Sequence, residues 1–153
     1  MEKSNELNKF LSYIHMGMSV FRIYYQEAKD LNDEKLVNKI VEIQEIFKHH
    51  EEVITRMITE MNEEATDSLT LAGIMGVYKE KMKTFNCGFS LCISALKATN
   101  MGMLSAIKFL NENKKLPSSH LGAIVDVIND YGRIQEMLRL YMIDLICADN
   151  VNK

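Results

Sequence analysis

Tryptophan is absent from this 153-residue chain, proline occurs once, at Pro117, and the seven glycines never gather into a turn-rich stretch. Without such breakers a chain cannot be cut into the many short strands and tight hairpins of a β-sandwich or barrel. Cysteine is scarce as well. Cys87, Cys92 and Cys147 make an odd number, which argues against a disulfide framework. Cys87 and Cys92, five apart, fall on different faces of a helix, and all three read as small core or boundary residues in preference to thiol-metal or redox groups. Charge of one sign is not concentrated anywhere. The formal net charge is -3, and the densest basic group, Lys79, Lys81 and Lys83, is short and interrupted by Glu80, so nucleic acid is not an expected partner. No apolar run of about 18 residues offers a membrane span, and the residues from Met1 to Glu6 lack the apolar stretch of a secretory signal, which makes the cytoplasm the expected compartment. Nor is there a nucleophile–base–acid set, a phosphate loop, a Cys-x-x-Cys pair or a dinucleotide fingerprint, and no enzymatic activity is expected.

What the chain does have is helical periodicity over most of its length. With 47% apolar and 25% charged residues it reads as one globular domain, residues 1–153, all-α in class. A first helix is predicted from Ser4, its N-cap, to Asp30, with Leu7, Leu11, Ile14, Met18, Phe21, Tyr25 and Ala28 turned inward. Asn32 and Asp33 turn the chain and cap a second helix, to Asn62. That helix carries Leu36, Ile40, Ile43, Phe47, His50, Ile54, Met57 and Met61 at alternating spacings of four and three, all on one face. After a polar run from Glu63 to Ser68, a short helix is expected over Ile74–Thr84 within a long connection. A third long helix follows over Phe89–Asn113. Pro117 restarts the chain into a fourth, Ser118–Ala148, whose stripe is His120, Ile124, Val127, Tyr131, Ile134, Leu138, Tyr141 and Leu145.

An internal repeat accounts for the long connection. His15-Met16-Gly17-Met18 aligns with Asn100-Met101-Gly102-Met103 at an offset of 85, which also pairs Leu11 with Leu96 and Tyr24 with Phe109. Ile40-Val41-Glu42-Ile43 aligns with Ile124-Val125-Asp126-Val127 at 84, which pairs Phe47 with Tyr131 and Glu52 with Glu136. Nearly equal offsets in two helix pairs point to a duplicated helical hairpin. Two hairpins joined by a connection long enough to cross the bundle define a ferritin-like four-helix topology, with the crossover between the second and third long helices and a short extra helix inside it. Together with Ile43-Gln44 and His50, Gly73-Ile74-Met75-Gly76 in the crossover, Met101-Gly102 and Leu116-Pro117, this arrangement resembles small bacterial ferritin-like bundles, relatives of rubrerythrin and bacterioferritin.

The resemblance implies where a di-metal centre would lie. In metal-binding members the first and third long helices each give an inward carboxylate, and the second and fourth each give Glu-x-x-His. The matching positions here are Ile14, Thr99, Phe47 with His50, and Tyr131 with Ile134. Only His50 is of a usual ligand type, and a lone imidazole cannot hold two metal ions. The chain therefore reads as a ferritin-like scaffold whose metal site has degenerated, with no metal or other cofactor expected. His50 is expected to be buried and hydrogen-bonded to a hydroxyl of Tyr24, Tyr25, Tyr131 or Thr99; metal or heme ligation, or an empty or lipid-like pocket, are the alternatives. Glu42, Glu45 and His49, like Asp126 and Asp130, are expected on solvated faces, with a divalent-ion site shared between subunits as the sharper reading. His15 and His120 are expected at ordinary polar positions. Eleven methionines suit adaptable core filling better than Cu(I) binding, because residues two apart on a helix diverge.

Three functions compete on these grounds. The first is a non-catalytic structural or protein-interaction bundle, self-associating as a homodimer through Phe10, Ile23 and Tyr24, which lie outside the inner stripe of the first helix. The second is a metal or redox protein of the rubrerythrin kind with rearranged ligands. The third is a small-molecule carrier using the space that the ligands vacated.

Overall fold

A computed structural model describes residues 2–151, with side chains described for 6–70 and 72–148. Among these the chain is all-helical: α1 Glu2–Asp30, α2 Glu34–Glu60, α3 Leu71–Lys81, α4 Gly88–Glu112 and α5 Ser118–Val151. Helix boundaries follow local chemistry. Asp33 caps α2 as its sequence position suggests, Oδ1 accepting the Leu36 N–H at 3.0 Å. Asn32 and Asn62, just beyond the ends of α1 and α2, take the left-handed conformation with φ of 57° and 60°, which asparagine tolerates better than most residues. The short helix begins three residues earlier than its apolar pattern suggests, because the Thr70 hydroxyl accepts the Gly73 N–H at 3.0 Å and sets the start. Ser4 lies inside α1, which begins at Glu2, and so is not its N-cap.

The long helices pack pairwise: α1 on α2, α2 on α5, α5 on α4, and α4 back on α1, with α3 laid against α1. Neighbours run antiparallel. Phe10 near the start of α1 stacks on Phe109 near the end of α4, ring centroids 4.9 Å apart. Asp33 at the start of α2 accepts a hydrogen bond from Tyr141 near the end of α5. The segment between α2 and α4 returns along the molecule, since Gly88 at the start of α4 lies beside Asp33 and Leu36 at the start of α2.

The core follows the stripes on α2 and α5. Leu36, Ile40, Ile43, Phe47, His50, Ile54 and Met57 are buried, as are Ile124, Val127, Tyr131, Ile134, Leu138 and Tyr141. On α1 the expectation needs correction. Phe10 and Tyr24, expected to form an apolar outer face, are 1% and 0% exposed, while Met18 and Tyr25 from the expected inner stripe are only half-buried. Phe10 is covered by Phe109 of α4. Tyr24 is covered by α3 and the segment after it: its hydroxyl donates to Glu80 Oε2 at 2.9 Å and its ring meets Phe85 edge-on at 6.2 Å. A helix flanked on three sides buries more than one stripe. Two of the three α1 residues offered for self-association, Phe10 and Tyr24, are thus spent inside the chain, while Ile23 is half-buried.

Two further ties hold the segment after α2 to α1. Asn8 donates to the Glu64 carbonyl at 3.1 Å and accepts the Thr66 N–H at 2.8 Å. His15 donates through Nε2 to the Thr66 carbonyl at 2.9 Å, and its Nδ1 lies 3.0 Å from Glu51 Oε2 of α2. His15 is therefore a junction of three elements, more than the ordinary polar position its sequence suggests.

Candidate functional site

The six positions implied by the resemblance are all buried in one core: Ile14, Phe47, His50, Thr99, Tyr131 and Ile134. Their centre is aromatic. The rings of Phe47 and Tyr131 face each other across the hairpins at 5.9 Å, His50 stands edge-on to both at 6.1 and 5.9 Å, and Phe21 adds a fourth ring 5.1 Å from Phe47. Such tilted and edge contacts are favourable aromatic geometries. Thr99 is satisfied locally, its hydroxyl donating to the Ala95 carbonyl at 2.8 Å.

His50 is not held by a hydroxyl of Tyr24, Tyr25, Tyr131 or Thr99. Its Nε2 lies 2.8 Å from Asp130 Oδ2 of α5, and the other oxygen of that carboxylate takes a hydrogen bond from Arg133 Nη1 at 3.1 Å. A carboxylate outcompetes a hydroxyl for a buried N–H because the bond is charge-assisted. His50 Nδ1 has no hydrogen-bond partner among the described residues. The ring is thus best served as the neutral tautomer with its proton on Nε2, since a proton on Nδ1 would be buried with no acceptor. Desolvation by burial, against the opposing pull of Asp130, lowers the His50 pKa from its ordinary 6.5.

Asp130 is the residue that stripe-reading assigns to a solvated face. It is three residues after Val127 and four before Ile134, so it flanks the buried stripe, and that spacing is the signal that points it inward. Its supposed companion Asp126 is exposed, as are Glu42, Glu45 and His49. Among the described residues no group of three or more His, Cys, Asp or Glu side chains is placed to hold a metal ion. The residues at the centre do not fit a pair of metals: two rings occupy it, and the imidazole has one nitrogen committed to Asp130.

The cysteines divide by position. Cys92 is buried among apolar residues, which pushes its thiol up to about 12, whereas Cys147 is exposed. Cys87 is the exposed N-cap residue of α4, and hydrogen bonding with the Ser90 backbone and hydroxyl lowers its pKa. Tyr131, Tyr24 and Tyr141 all have pKa values raised by burial, the last two also by the carboxylates of Glu80 and Asp33. No helix among the described residues is long and apolar enough to cross a membrane. Comparison with known proteins finds no matching family model, no significantly similar curated protein and no significantly similar solved structure.

Proposed function

We propose that this chain is a ferritin-like four-helix bundle of bacterial type in which an aromatic core replaces the di-metal centre, and that it serves in the cytoplasm as a non-catalytic structural or protein-interaction module. The antiparallel neighbours and the connection that returns along the molecule between α2 and α4 support the topology. One observation carries the functional reading: Phe47 and Tyr131 meet where metals would sit, and the one ligand-type side chain beside them is spoken for by Asp130.

Self-association as a homodimer remains part of this reading, but on a different surface. Ile74, Met75 and Tyr78 of α3 and Met82 at its C-cap are 52%, 66%, 64% and 71% exposed, and Leu140, Ile143 and Ile146 of α5 are also exposed. Exposed apolar side chains gathered in this way favour contact with another protein surface. The bare Nδ1 of His50 favours a second reading, a metal or redox protein with rearranged ligands. Elemental analysis of the purified protein for iron, manganese, zinc and copper, paired with light scattering, separates the two. The proposal expects less than stoichiometric metal and a mass twice 17.6 kDa. One bound transition metal per chain, lost in His50→Leu, would establish the second reading instead.

A further inference from the structure

Beneath α3 the packing is incomplete. A partly enclosed cavity of about 310 Å³ is lined from all five helices, and its floor is the Phe21, Phe47 and Tyr131 cluster. This volume is at the lower end of ligand-binding pockets, which run from about 300 to 1,000 Å³. Three glycines of its wall, Gly17, Gly76 and Gly102, contribute no side chains to fill it. Tyr131 also lines it, close against Gly102.

The mouth has a different chemistry. Lys79 of α3, Lys83 just beyond its end and Lys97 of α4 line it, in a chain whose net charge is -3. Glu80, the acidic residue of the lining, is occupied by Tyr24 at 2.9 Å and by Lys83 at 2.7 Å. Lys79 and Lys97 have no acidic partner among the described residues and are exposed. An apolar, aromatic-floored cavity with uncompensated ammonium groups at its rim complements a molecule with an apolar body and one anionic end.

We propose that this cavity binds a small amphipathic carboxylate, such as a medium-chain fatty acid, with the chain against Phe47 and Tyr131 and the carboxylate between Lys79 and Lys97. The site uses the space that non-ligand residues leave around the aromatic pair. It does not depend on whether the bundle self-associates. The apolar outer side of α3, with the same lysines, suits a membrane surface as the competing occupant, so the test must separate the two.

Decanoate, kept below its micelle concentration, is titrated into the full chain by calorimetry, with decanol as the uncharged control. Saturable binding of decanoate at one site per chain is expected, about tenfold tighter than decanol, the scale of one charge-assisted contact. Lys79→Glu combined with Lys97→Glu should remove that advantage while leaving decanol binding unchanged; both positions are exposed and lie outside the core. Ala98→Phe, which projects a ring into the cavity, should abolish binding of both compounds in protein that retains its helical circular dichroism. No saturable decanoate binding would overturn the proposal, and so would an affinity that the lysine variant leaves unaltered. Sedimentation with phosphatidylglycerol vesicles, without binding of free decanoate, would assign the lysines to a membrane surface instead.

Discussion

In the α1–α2 hairpin Gly17 lies against the ring of Phe47, and in the α4–α5 hairpin Gly102 lies against the ring of Tyr131. A Cβ on Gly17 would stand 3.5 Å from Phe47, and one on Gly102 would stand 3.2 Å from Tyr131. The same glycine-under-aromatic device occurs at repeat-related positions, yet the hairpins then diverge. Three residues beyond the aromatic, one has His50 and the other has Ile134. The polar group of the first is satisfied only by the second, through Asp130. The two halves, alike in packing, share an aromatic centre whose polar contact is asymmetric, and Tyr141 with Asp33 adds a second polar tie between them nearer the helix ends.

The largest expected effect tests the aromatic centre. Phe47 is 1% exposed and touches three other rings, so Phe47→Ala should cost roughly 3 to 5 kcal/mol in chemical denaturation, the range for a large aromatic removed from a core. A loss below about 1 kcal/mol would mean that the centre is loosely packed and that the aromatic pair does not tie the hairpins together.

The asymmetric contact is tested next. Asp130→Ala strands the His50 N–H in the core and should cost about 1 to 3 kcal/mol, the penalty for an unsatisfied buried donor. His50→Leu removes the donor itself and leaves Asp130 with Arg133, so it should cost less than Asp130→Ala. The reverse order would show that the imidazole contributes through packing and not through this bond.

A smaller effect is expected with pH. Burial lowers the His50 pKa in the folded chain below 6.5, so below pH 6.5 the unfolded chain takes up a proton at this site more readily than the folded one. The His50 contribution is thus unimpaired above pH 6.5 and declines as pH falls from there towards the folded value, without further change below it. Melting temperatures of the parent and of His50→Leu, recorded from pH 7.5 to 5, should converge towards acid. Parallel curves would remove the assignment of a neutral imidazole.

The smallest effect compares the glycines directly. Gly17→Ala adds a methyl at ordinary contact distance and should stabilise by up to about 1 kcal/mol through helix propensity. At Gly102 the same methyl presses on the Tyr131 ring, so Gly102→Ala should melt lower than Gly17→Ala. Equal melting temperatures would indicate that the Tyr131 ring gives way freely.

Much of this architecture was legible before any coordinates. The four-three stripes on α2 and α5 placed their buried residues almost completely, because each of these helices buries a single face. On α1 the same reading failed at Phe10 and Tyr24, since periodicity assumes one covered face and cannot foresee a crossover and a second helix lying on the others. The histidine was legible as an inward residue, but its partner was not. Asp130 flanks a stripe, and a flanking carboxylate turns inward only when a buried donor lies opposite, which depends on the register between α2 and α5. The cavity was least legible of all, because Lys79 and Lys97, far apart in sequence, line one space only through the packing of α3 and α4 on α1.

The centre of the molecule is a packed aromatic core, and in it His50 acts as a structural group. Thermal melting of the parent chain and of His50→Leu, each with and without Mn(II) or anaerobic Fe(II), tests it most directly. Neither metal should raise the melting temperature of either protein, because among the described residues no group of three or more His, Cys, Asp or Glu side chains is placed to hold a metal ion. A metal-dependent rise in the parent that disappears in His50→Leu would make His50 a ligand and contradict the account.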